Sequence, residues 1–158
     1  MILRRAKNSD SALLFRLRTE AITMMYAVVH YHSRWAQHIR ALEGELNDPD
    51  RVVFIAEEGS DTVGSVTMNL AREGPIELTV IIANEHRHRD VGAGMLEEAI
   101  RVADSPVTVR IHPDDKDSQA LAERFGLRLF SEEDGVMYWR SAEATAAVLP
   151  LRPRIFNE

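Results

Sequence analysis

The chain has 158 residues, 45% of them hydrophobic and 28% charged, with a formal net charge of −6 and no cysteine. That length suits one domain around one core, and the acidic balance argues against nucleic acid as a partner, which needs a dominant basic footprint. The lack of thiols excludes disulfides, thiolate metal sites and cysteine nucleophiles, and no apolar run approaches membrane-spanning length or resembles a signal core, so a cytoplasmic protein with no membrane partner is expected.

Residues 2–6 predict a short opening strand. Asn8, Ser9 and Asp10 offer capping side chains for a helix over 11–29, where Leu13, Leu14, Leu17, Ala21, Ile22 and Met25 share one face. A second helix is expected over 33–46, with Trp35, Ile39, Leu42 and Leu46 on one stripe, Trp35 and Met25 reading as core and helix-junction packing. Pro49 ends it, because proline disfavours helix in the residue before it. Residues 51–57 and 62–70 flank the turn Glu58-Gly59-Ser60-Asp61 and predict an antiparallel hairpin.

Glu73-Gly74-Pro75 then turns the chain into a strand at 76–82. Val91, Met95, Leu96, Ala99, Ile100 and Ala103 mark a helix ending near Asp104. A strand at 107–111, a short helix at 118–125 stopped by Gly126, and a hairpin of 127–130 with 136–140 complete the pattern. Residues 141–158, with Pro150 and Pro153, read as an appendage that is either flexible or docked on a partner subunit, which leaves a homodimer open. The expected fold is therefore α/β: one domain over 1–140, with a mixed, mostly antiparallel central sheet flanked by helices. It lacks the strict strand–helix alternation of a dinucleotide fold.

The most informative segment runs Glu85-His86-Arg87-His88-Arg89-Asp90-Val91-Gly92-Ala93-Gly94, between the strand and the helix. Strand, basic glycine-bearing turn and helix together build anion sites, since N–H groups converge at a helix start and arginines supply opposite charge. The plainer alternative is a solvated basic turn. A glycine turn of this kind is a weak signal by itself.

In element order over residues 1–140, and in diagnostic positions over 76–127, the chain resembles the GCN5-related N-acetyltransferase (GNAT) superfamily. There a strand leads into a turn of the form (Arg/Gln)-x-x-Gly-x-(Gly/Ala), whose amides hold the pyrophosphate of acetyl-coenzyme A. Two registers are open. The run from Arg89 to Gly94 satisfies the pattern literally, whereas the run from Arg87 to Gly92 puts Asp90 at the first glycine. The second is preferred because it aligns Glu85-His86-Arg87 with the family's acidic-aromatic-Arg approach and buries Met95 and Leu96. The literal register buries Glu97 and Glu98 instead, which is costly for unpaired carboxylates. Asp90 then has to point away from the ligand, as a cap for the helix.

The resemblance implies acetyl-CoA as co-substrate, with no metal. It would lie against Val80, Ile81, Ile82, Arg87, His88, Arg89, Asp90, Val91, Gly92 and Ala93. A second segment, Asp115 to Leu127 ending in Glu123-Arg124-Phe125-Gly126-Leu127, resembles the family's segment after the next strand. Asp115 stands where an asparagine often contacts the cofactor. Ala122 stands where a tyrosine often protonates the departing thiolate.

Acyl transfer from a thioester to an amine needs a base for the amine, stabilisation of the oxyanion and a path for the thiolate. By resemblance, the strands at 76–82 and 107–111 splay so that the pantetheine arm lies between them. Glu77 is then the candidate base and Tyr138 or a water the candidate acid. Strand alternation alone would also make Glu77 an ordinary exposed residue. Tyr26, His30 and Tyr31 would wall a small amine, an amino sugar among the options, while His30, His32 and His38 lack a metal spacing. The rival readings are a degenerate domain that binds acyl-CoA as a regulatory ligand, and an interaction module.

Overall fold

A computed structural model describes residues 1–22, 34–70, 73–87 and 90–142. Seven strands are β1 (Ile2–Arg5), β2 (Arg51–Glu58), β3 (Asp61–Asn69), β4 (Ile76–Ile82), β5 (Val107–Ile111), β6 (Leu127–Glu133) and β7 (Val136–Ser141). They form one sheet in the order β1-β2-β3-β4-β5-β7-β6, antiparallel except where β4 meets β5. Four helices are α1 (Ser11–Ile22), α2 (Trp35–Asn47), α3 (Val91–Ala103) and α4 (Lys116–Arg124). The α/β reading and the mixed sheet hold. The far part of the first predicted helix, 23–29, and the appendage from 143 onward lie outside the described residues.

Local chemistry sets the element ends. Asp134 and Gly135 both take positive φ, 51° and 75°, the left-handed pair that a tight hairpin between β6 and β7 needs. The first strand of this hairpin runs to Glu133 rather than stopping at 130, because a bulge between Leu129 and Ser131 lets pairing with β7 continue past Phe130. Asp115 starts α4: its Oδ1 accepts the Ser118 N–H at 3.1 Å, so the helix begins two residues before the expected 118.

The sheet sorts its side chains by parity. Ile76, Leu78, Val80 and Ile82 of β4 face α3, joining Val66, Met68, Val107, Ile111 and Trp139 in the main core. Met95 and Leu96 seat α3 there, and full burial of each contributes about 2 kcal/mol. On the other face, Leu14 and Leu42 pack on Val53 and Ile55, while Leu17 and Ala21 pack on Ile81 and Ala83.

Helix α2 is rotated from the expected stripe. Its buried residues are His38 and Leu42, while Trp35 remains 48% exposed. The His38 ring reaches Ser11 O at 3.0 Å through Nε2, which draws that side of the helix inward. Trp35 does pack at the helix junction, edge-on to Phe15 with centroids 5.3 Å apart, but at the rim and not in the core.

Candidate active site

Strands β4 and β5 pair only from Ile76–Val107 to Leu78–Val109, although β4 runs on to Ile82 and β5 to Ile111. The sheet therefore opens in its middle. Ile76 donates its N–H to Pro106 O on the β5 side, at 2.9 Å, and Ala83 donates to Val63 O on the β3 side, at 2.8 Å. Backbone polar groups alternate along a strand, so Val80 and Ile82 share the parity of Ile76 and turn their N–H and C=O groups toward the opening. The Ile81 side chain packs under α1 instead.

The start of α3 lies at the end of this opening. A Cβ on Gly92 would come 2.9 Å from Ile82 Cδ1, the tip of a flexible side chain, so the helix start lies in close contact with β4. The helical ladder begins with Gly94 N–H to Asp90 O at 3.2 Å, leaving the N–H groups of Val91, Gly92 and Ala93 ahead of it. Asp90 is exposed and its side chain makes no capping bond, which corrects the expectation that it caps α3. The uncapped amides suit an anion.

Just before the helix, the buried His86 Nδ1 and Arg87 Nε lack hydrogen-bond partners. Arg16 of α1 ties this turn down through Glu20 at 2.9 Å and Glu85 at 3.4 Å, and Asn84 N–H reaches Glu20 at 3.3 Å. The Glu85 carboxyl is held below the usual range by a backbone hydrogen bond at its own residue, and by Arg16. His88 and Arg89 lie outside the described residues, and with them the first residue of the literal register. Met95 and Leu96 are buried, Glu97 is exposed and Glu98 pairs with Arg101, the burial expected of the preferred register.

On the α1–α2 side the sheet carries polar residues where a core would be apolar. Across neighbouring strands, Arg51, Asn69, Glu77, Thr108 and Arg140 stand in register, and Arg110 stands opposite Tyr138. Glu77 and Tyr138 thus share one face of the sheet, on either side of β5. Arg110 Nε lies 3.1 Å from Glu77 Oε1, within ion-pair range, yet its N–H is not directed at the carboxylate and finds no other partner.

Above this face Arg18 of α1, only 8% exposed, forms a two-pronged bond to Glu45 of α2 at 3.0 and 2.8 Å. Arg51 Nε donates to Asn69 Oδ1 at 2.6 Å, and Arg51 Nη1 stands 3.7 Å from Glu45. These residues, with Thr67, Thr79, Ile81 and Arg110, line a half-open cavity of about 30 Å³. A second, shallower hollow of about 280 Å³ lies at the β1–β2 end beside Pro49, away from the opening.

Of the residues expected from sequence, Glu77, Val80, Ile82, Arg87, Val91, Gly92 and Ala93 lie around the opening or on its approach. Asp115 is committed to capping α4, and Ala122 is buried in the core. Tyr26, His30 and Tyr31 lie outside the described residues. Arg18, Glu45, Arg51, Asn69 and Arg110 were not anticipated. The polar odd positions Thr67, Asn69, Glu77 and Thr79 were the available signal, since a face under two helices should be apolar.

An acetyltransferase (GNAT) domain profile matches residues 1–128, and the chain belongs to the GNAT acetyltransferase family. No curated protein matches it by sequence search. Solved structures share its fold. A domain from Methanocaldococcus jannaschii superposes with a TM-score of 0.73 at 17% identity, over 88% of this chain and 96% of that one. The spermidine N-acetyltransferase of Vibrio cholerae, solved with CoA and spermine, gives 0.72 at 15% identity over 88% and 92%. A Salmonella typhimurium protein solved with its cofactor acetyl-CoA gives 0.71 at 16% identity over 89% and 92%. At these identities the likeness speaks for the fold alone.

Proposed function

We propose that this chain is an acetyl-CoA-dependent N-acetyltransferase acting on a primary amine of a small molecule, with direct transfer in a ternary complex. The observation that carries the reading is the opening between β4 and β5, with an uncapped helix start at one side and Glu77 on the α1–α2 face. The residues present fit the cofactor: open backbone amides at the start of α3 beside β4, and an unpartnered buried Arg87 Nε on the approach.

Acetyl-CoA, when bound, supplies an acyl group activated as a thioester. The amides of Val91, Gly92 and Ala93 hold a phosphate at the helix start, and Arg87 adds positive charge. Backbone groups of Val80 and Ile82 receive the amide-bearing arm as an added strand would be received. Glu77 accepts the proton of the amine, directly or through water, with Arg110 steadying its carboxylate. Tyr138, on the same face, is the candidate donor to the departing thiolate.

The competing reading, an acyl-CoA sensor without catalysis, is favoured by Ala122, a buried methyl where the family often has a tyrosine. Free thiol released from acetyl-CoA across a panel of primary amines separates the two. Amine-dependent release that collapses in Glu77→Gln supports the enzyme. Saturable acetyl-CoA binding without release from any amine supports the sensor.

A further inference from the structure

We infer that the acceptor amine also carries a carboxylate, as an amino acid does, and that Arg110 receives it. The inference rests on the acetyltransferase reading and names the substrate class of the same site. Three guanidinium groups, Arg18, Arg51 and Arg110, meet two carboxylates, Glu45 and Glu77, on the α1–α2 face of the sheet. With Arg140 also on this face, in register with Thr108, positive charge is in excess there.

The cations are not equally committed. Both prongs of Arg18 are taken by Glu45, and Arg51 is held by Asn69 and Glu45. Arg110 is held by one carboxylate alone, Glu77 at 3.1 Å, and its Nε–H is not aligned with that oxygen. Two residues earlier on the same strand face, Thr108 is 5% exposed and its hydroxyl is buried without a partner. Unsatisfied buried donors cost free energy until an acceptor arrives.

A guanidinium lining a cavity asks for an acceptor group with negative charge, and a carboxylate meets the planar fork of arginine best. Glu77 stands in register with Thr108 and beside Arg110, so an anion site and a proton acceptor are neighbours. That spacing matches an amine close to its own carboxylate. The cavity of about 30 Å³ that Arg110 lines takes a group the size of a few atoms, such as a carboxylate head, while the rest of the acceptor extends outward. A polycationic amine would meet the excess positive charge instead.

The test uses amino acids alongside their α-amides and the amines lacking the carboxylate, with acetyl-CoA and the full chain. The same panel is titrated in calorimetry without acetyl-CoA. The expected result is that the carboxylate-bearing members bind and react best, by about 10- to 100-fold over their amides. Arg110→Gln should lower kcat for every acceptor, since Glu77 loses its partner, but should erase the KM preference for acids over amides, and Arg110→Lys should restore that preference only in part because a point charge lacks the fork. Amides or polyamines that bind and react as well as the acids overturn the inference and leave the acetyltransferase reading standing. Absence of thiol release from every amine defeats that reading and this one together, unless carboxylate-selective binding persists in calorimetry, which supports the anion site alone.

Discussion

At the scale of single residues, the odd-numbered positions of β4 matter most. Glu77 was legible from the sequence because strand alternation and family resemblance both pointed to it. Its setting was not, since Arg110 meets it only after β5 folds alongside β4. If Glu77 accepts the amine proton, Glu77→Gln should lower kcat by about 10²- to 10⁴-fold and flatten the acid limb of the pH–rate profile, with acetyl-CoA binding unchanged. Unaltered turnover across that profile would remove Glu77 from the mechanism.

Asp10 has a structural part. It is buried, receives a two-pronged bond from Arg4 at 2.9 and 2.9 Å, and accepts the Lys7 N–H at 2.8 Å. The Arg4 guanidinium, together with the Lys7 N–H, holds its carboxyl below the ordinary 3.8. A depressed folded-state value means a stability contribution that is complete above about pH 4 and fades as the pH falls through the folded value. Asp10→Asn should therefore cost about 1–2 kcal/mol at pH 7, and progressively less of that difference should remain in melts taken at pH values below 3.8.

Among the elements, backbone approach separates two glycines. A Cβ on Gly64 would lie 2.1 Å from the Ile81 carbonyl oxygen of β4, whereas one on Gly92 would meet the tip of the Ile82 side chain at 2.9 Å. A carbonyl in a paired strand cannot swing aside as a terminal methyl can. Gly64→Ala should thus cost about 1–3 kcal/mol in chemical denaturation. Gly92→Ala should stay within about 1 kcal/mol of wild type, since alanine also favours the helix. Equal losses at both sites would contradict this account of the β3–β4 contact.

Element boundaries show which parts of the fold could be read in advance. The strand at 107–111 was visible because its apolar and polar residues alternate throughout, and the one at 76–82 because it alternates as far as Val80 and then ends in an apolar run, Val80-Ile81-Ile82. The rotation of α2 was not, because Trp35, Ile39, Leu42 and Leu46 form as good a stripe as the one used. What decides between them is the ring of His38 reaching Ser11 O, a contact across 27 positions of sequence. The Arg18–Glu45 pair spans the same separation and was hidden for the same reason. Asp90 failed as a cap although its residue type allowed it, so the helix start keeps its amides open.

Over the whole molecule, the sheet separates two environments and connects them through one opening. The α3–α4 side offers backbone N–H groups to an anion, and the α1–α2 side gathers arginines, glutamates and threonines beneath those two helices. No helix among the described residues is long and apolar enough to cross a membrane. Among those residues no cluster of histidines and carboxylates offers a metal site.

The most direct measurement is a thermal melt of the full chain across an acetyl-CoA titration, for wild type and Arg87→Ala. A ligand held at the start of α3 should raise the melting temperature in a saturable way, with stabilisation near 2.7 kcal/mol at about a hundredfold excess over Kd. Arg87→Ala should shift that curve to higher ligand concentration while the ligand-free melt stays near wild type. No rise in melting temperature at millimolar acetyl-CoA would contradict the account.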